Sequence, residues 1–150
     1  MFDLEGFFKD RKRAAWLLLM AALALHVTDE AVTGFLPFYN DMVLSLRERW
    51  GFFPMPTFTY PVWLGGLITG LAIGLLLTGR VARGGPISRA LIGIFSVLMI
   101  GNALGHLLGS VYFARLLPGF WSSPVLLPAA FYMLWLVVKR EWPPIPNVGS

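Results

Sequence analysis

Charge is scarce in four long stretches of this chain, and that scarcity limits its fold more than any other feature. Apolar runs of about 20 residues, enough to cross about 30 Å of hydrocarbon, occupy residues 14–35, 60–78, 88–113 and 121–138. The fourth run is the shortest. Its Pro124 and Pro128 fall near its start, where proline costs a helix least. Apolar residues make up 57% of the chain and charged residues 13%, against about 45–50% and about 25% in soluble domains. With so little polar side chain to cover its surface, an all-α bundle of four transmembrane helices is expected, as a single integral membrane domain over residues 1–150. There is no cysteine, which excludes disulfides, zinc–thiolate sites, iron–sulfur clusters and thiol catalysis.

The basic residues give an orientation. Lys9, Arg11, Lys12, Arg13, Arg80, Arg83, Arg89, Lys139 and Arg140 fall on one side of the four runs, and Arg47, Arg49 and Arg115 on the other. Positive charge stays cytoplasmic. Both termini are therefore expected inside, in a multi-pass protein of the cell (inner) membrane. Ala22-Leu23-Ala24 after the first basic cluster has the look of a signal-cleavage site. The apolar pattern continues beyond it, so a retained first helix is expected. The net charge of +4 is then a topology signal, and no nucleic-acid partner is expected.

The connection from residue 37 to residue 59 is long. Asn40 can cap a helix from Asp41 to Trp50, with Gly51 as its stop. Met42, Val43, Leu46 and Trp50 share one face of it, as in an interfacial amphipathic helix. Trp50, Phe52, Phe53, Phe58, Tyr60 and Trp63 make an aromatic belt. This connection reads as a membrane-surface anchor or as a lid over an outward-opening site. Gly66, Gly70 and Gly74 in the second run, and Gly101, Gly105 and Gly109 in the third, recur every fourth residue. Such rows let helices approach closely, so a glycine zipper between the second and third spans is expected.

Apart from Arg89 at the edge of the third run, Asp29 and Glu30 are the charged residues placed inside an apolar run, and both histidines of the chain, His26 and His106, also lie in such runs. A buried carboxylate in lipid costs at least about 2.5–3.5 kcal/mol, so these groups need partners. His26 shares a helical face with Glu30, and Asn102 shares one with His106. At 1.5 Å per residue, Glu30 lies about 24 Å and His106 about 27 Å into their parallel spans. His26, Asp29, Glu30, Asn102 and His106 are therefore expected to form one site in the outer half of the bundle.

That group admits several chemistries. His26, Glu30 and His106 suit a divalent metal such as zinc, iron or manganese. Burial and like charge also suit acid–base chemistry on a lipophilic small molecule. Asn102 would then orient a ligand or substrate. A different class of reading is a non-catalytic, accessory subunit of a larger membrane complex, or a homo-oligomer, with the cluster structural or ligating a haem or pigment. Paired haem ligation is disfavoured because His26 counts about 9 Å shallower than His106. Ser110 and Ser122 show no setting for nucleophilic catalysis.

His26-Val27-Thr28-Asp29-Glu30, Asn102-Ala103-Leu104-Gly105-His106, Pro118-Gly119, Ser123 and Pro128 together resemble the HXXEE-motif family of small bacterial membrane proteins. The resemblance spans most of the chain. It implies that the five polar residues form one site, and implies no established activity. Asp29 departs from the motif by standing where its first glutamate is expected. A looser resemblance, through His26 and Glu30, is to emopamil-binding (EXPERA) sterol-isomerase-like proteins, whose further acidic residue has no counterpart here.

Overall fold

The computed structural model describes residues 11–139. Among them are six helices and no strand: α1 (Arg11–Thr33), α2 (Phe35–Trp50), α3 (Tyr60–Leu76), α4 (Thr78–Arg83), α5 (Pro86–Tyr112) and α6 (Ser123–Val138). The all-α expectation holds. Two helices, α1 and α5, are long and apolar enough to cross a membrane, while α3 and α6 are apolar but only 17 and 16 residues long. Lys9 and Arg140, which entered the orientation argument, lie outside the described residues.

Glycine and proline set the helix ends. The first apolar run does not continue to residue 35 as one helix, because Gly34 takes φ +82° and turns the chain into α2. An L side chain pays to enter that left-handed region, and glycine does not. The helix expected from Asp41 therefore begins six residues earlier, at Phe35, and ends as expected at Gly51, also left-handed at φ +73°. Asn40 is no cap. Its side chain donates Nδ2–H to Phe58 O at 2.9 Å and accepts from Phe58 N–H at 3.1 Å, pinning the 51–59 connection back along α2. Tyr39 Oη–H to Pro56 O and Arg47 Nη2–H to Met55 O reinforce it. Pro124 sits in the first turn of α6, as expected, but Pro128 lies inside that helix, where it deletes a backbone hydrogen bond.

The packing core runs along α6. Leu126, Ala130, Met133 and Leu136 are fully buried, against Leu19 and Met20 of α1 and Ala103 of α5 in one cluster. The small Ala129 and Ala130 let the helices close in, as small residues do at helix interfaces. The glycine zipper between the second and third runs does not form. A Cβ at Gly66, Gly70, Gly101 or Gly105 would meet nothing within 4 Å. Gly74 instead receives α1: its carbonyl accepts Trp16 Nε1–H at 2.9 Å, and an added Cβ would lie 2.6 Å from Met20 Sδ. Gly109 faces Leu117, beyond its own helix. A four-residue glycine spacing specifies a groove, but not which neighbour fills it.

Gly74→Ala is accordingly expected to destabilise the fold by about 1–3 kcal/mol through overpacking. Gly66→Ala should be neutral or stabilising by up to about 1 kcal/mol, since alanine is the better helix former. Thermal or denaturant unfolding of the two variants side by side checks this.

Candidate metal centre

Three elements meet at the site. The buried face of α1 carries Leu19, Ala22, His26 and Glu30, a helical spacing that turns the last two toward α5 and the start of α6. From α5 come Asn102 and His106. From the turn before α6 come Gly119 and Ser122. His26 is fully buried, and Glu30 and His106 are only 5% and 6% exposed.

Glu30 lies between the imidazoles. Its Oε1 is 3.0 Å from His106 Nε2 and 3.5 Å from His26 Nε2. The two rings meet edge to face with centroids 4.8 Å apart. One donor atom from each of His26, Glu30 and His106 falls within 4.8 Å of the other two. Asn102 Nδ2 lies 3.0 Å from His26 Nε2. The depth match of Glu30 with His106 was legible by counting residues. The offset of about 9 Å between the histidines was not borne out, because packing, not span boundaries, sets the register between helices. Rings in edge contact with a carboxylate between them leave no room for a macrocycle, which removes the paired haem arrangement.

Asp29, expected in the same site, instead turns away from the donor group to the start of α6. Its Oδ2 accepts from the backbone N–H of Ser122 at 2.9 Å and from Ser122 Oγ–H at 2.8 Å. Ser122 is the N-cap residue of α6, so the carboxylate sits at the positive end of that helix, where backbone N–H groups lack intrahelical partners. Asp29 thus ties α1 to α6 and stands one residue removed from the donor cluster.

Ser122, which showed no recognisable setting in sequence, is the link between the two. Its Oγ is 2.8 Å from His26 Nδ1 as well as from Asp29. One proton arrangement satisfies the contacts of His26 with Ser122 and Asn102 and of Ser122 with Asp29. His26 Nδ1–H donates to Ser122 Oγ, Ser122 Oγ–H donates to Asp29, and His26 Nε2 accepts from Asn102. That tautomer leaves Nε2 unprotonated, and a metal would take the lone pair that Asn102 Nδ2–H now occupies. Histidine ligands are held in this way by outer partners, whose loss costs about 10–100-fold in metal affinity. For a metal held on this group, Ser122→Ala is expected to weaken retention within that range, readable by competition with a chelator of known affinity.

Further residues pack around the site. Gly119, at φ +84°, lies flat on His106: a Cβ there would stand 2.8 Å from both Cε1 and Nδ1 of the ring. Ser123 Oγ–H closes this turn onto Gly119 O at 2.7 Å. On α5, Ser110 Oγ–H donates to His106 O and accepts from Leu117 N–H, holding the α5–α6 connection against the site. The Phe35 ring covers His106 with centroids 5.3 Å apart and reaches Trp63 at 6.0 Å. Gly119, distant from the histidines in sequence, is thus a contact of the site, and Ser123 holds its turn.

No curated protein and no solved structure matches the chain, and the looser likeness to emopamil-binding proteins gains no support. A family model described as "Protein of unknown function with HXXEE motif" matches residues 16–133, a stretch that takes in every residue of the cluster. The chain belongs to the HXXEE-motif family.

Proposed function

We propose that this is a multi-pass protein of the inner membrane that holds a divalent first-row metal on His26 Nε2, Glu30 Oε1 and His106 Nε2. Convergence of these three buried donor atoms carries the reading. Two imidazoles and one carboxylate suit zinc, iron or manganese. Three protein ligands leave a coordination position open, which is the arrangement of catalytic rather than structural sites. A metal there would act as a Lewis acid on water or on a carbonyl or phosphoryl oxygen. The chain's own residues do the positioning. Ser122 and Asp29 hold His26 in its ligating tautomer, Asn102, displaced from His26 Nε2 by a metal, would offer its N–H to a ligand or substrate, and Phe35 covers the site.

The membrane placement is supported by what the helices expose. Ile68, Ile73 and Leu76 on α3, Leu91, Ile94, Val97 and Leu98 on α5, and Phe131 and Trp135 on α6 are all exposed. Apolar surface this extensive is stable against lipid or another protein. α3 and α6, at 16–17 residues, give about 24–26 Å of helix, and both are short for a span of about 30 Å. We read them as crossing because α4 and the connection before α6 continue them at one end. Lipophilic substrates arriving from the bilayer fit this setting.

Elemental analysis of the full chain, purified from membranes without chelator, tests the reading. About one equivalent of zinc, iron or manganese per chain is expected. A metal-free protein that also fails to take up any of the three on dialysis would refute it and leave the cluster a hydrogen-bonded structural network.

A further inference from the structure

Where the glycine zipper was expected, the structure has an apolar groove between α1, α3 and α5, with a volume of about 630 Å³. That lies within the range of small-ligand sites, about 300–1,000 Å³. Gly66 and Gly70 form its α3 wall, and Phe95 and Met99 lie on its α5 wall. Its lining is apolar except at one end, where Arg80 and Ser88 stand. The indole N–H of Trp16, also in the lining, is already bonded to Gly74 O. None of the metal-site residues lines the groove.

We propose that this groove holds an acyl chain of an anionic phospholipid from the inner leaflet, with its phosphate on Arg80. Three observations favour that occupant over a partner helix. From Ile87 to Met99 the groove follows α5 for about 18 Å, close to one leaflet's share of about 30 Å of hydrocarbon. Its charged end coincides with the basic side of the chain, where Arg80 and Arg83 close α4 and where headgroups lie. Arg80 is exposed at the mouth of an otherwise apolar lining, which matches a ligand with one anionic end and a long apolar body. The first turn of α5, with Ser88, adds N–H groups free of intrahelical partners on the same side.

The inference rests on the membrane placement and is independent of the metal. The test is native mass spectrometry of the purified full chain after exchange with vesicles of phosphatidylglycerol or of phosphatidylcholine. Wild type should retain a lipid adduct with preference for phosphatidylglycerol, and Arg80→Gln should lower that preference about fivefold, the effect of one basic residue at a membrane surface. Gly70→Leu, which fills the groove without meeting protein atoms at its Cβ, should remove the adduct for both lipids. Gly66→Leu, at the other end, repeats the test should Gly70→Leu not assemble. Adducts unchanged in both leucine variants would overturn the proposal. So would an absence of headgroup preference, or a wild-type dimer that Gly70→Leu splits, since the groove would then hold a second copy. Metal content should be equal in all three variants and wild type, so loss of lipid and loss of metal are read separately. A chain that alkaline carbonate releases from membranes would refute the membrane placement itself.

Discussion

Glu30→Gln is expected to lower metal affinity by at least about 100-fold while leaving the helices packed. The upper figure for losing an outer partner of a ligand is about 100-fold, and Glu30 is a direct donor standing between both imidazoles at 3.0 and 3.5 Å. Glutamine keeps the volume and one carbonyl oxygen but loses the negative charge. The same substitution separates the metal centre from a plain structural network. In a network, the same replacement removes one partner of a buried pair, which costs about 3–5 kcal/mol of stability, with no metal to lose. In a metal site it leaves two histidines and a weak oxygen donor. Elemental analysis and chelator competition, paired with thermal unfolding, read both quantities. Unchanged metal content in Glu30→Gln, or in His106→Ala, would exclude the proposed ligand set.

Gly119→Ala is expected to damage the same site from outside the donor set. The left-handed backbone at φ +84° costs an alanine about 1–2 kcal/mol. The added methyl would also press on the His106 ring at 2.8 Å. The ring is buried beneath Phe35, so its displacement moves Nε2 away from Glu30. Gly51→Ala supplies the control, because Gly51 has φ +73° and open space around its Cβ position. Both variants should lose stability by a similar backbone amount. Only Gly119→Ala should also lose metal. Equal metal affinity in the two would show that Gly119 serves the turn alone.

Local periodicity already contained the faces of the site. His26 and Glu30, and Asn102 and His106, are four apart, and a helix puts such pairs on one side whatever surrounds it. Their burial followed from the expense of isolated charge in an apolar run. The end of α2 at Gly51 was equally local. Its start was not, because a continuous apolar run gives no sign of the break at Gly34. Ser122 was passed over since a serine near a helix start is ordinary, and its partners Asp29 and His26 lie 93 and 96 residues away. The one available signal was the Pro118-Gly119 and Ser123 elements of the HXXEE resemblance, which mark that turn without saying what it touches.

The sequence by itself determined an all-helical chain with its charges at the ends of apolar runs and two polar pairs, each on a helical face. Those are consequences of short-range geometry and of solvation, which act on each segment alone. Only the tertiary structure decided that Asp29 turns to the start of α6, that Gly119 rests on His106, and that the glycine row of α3 faces a groove instead of the row of α5. Rotation and register between helices depend on how whole faces fit, and in α6 the run of small and large side chains from Leu126 to Leu136 takes the central place. That packing leaves α3 held to α1 through Gly74, and the space beside it open.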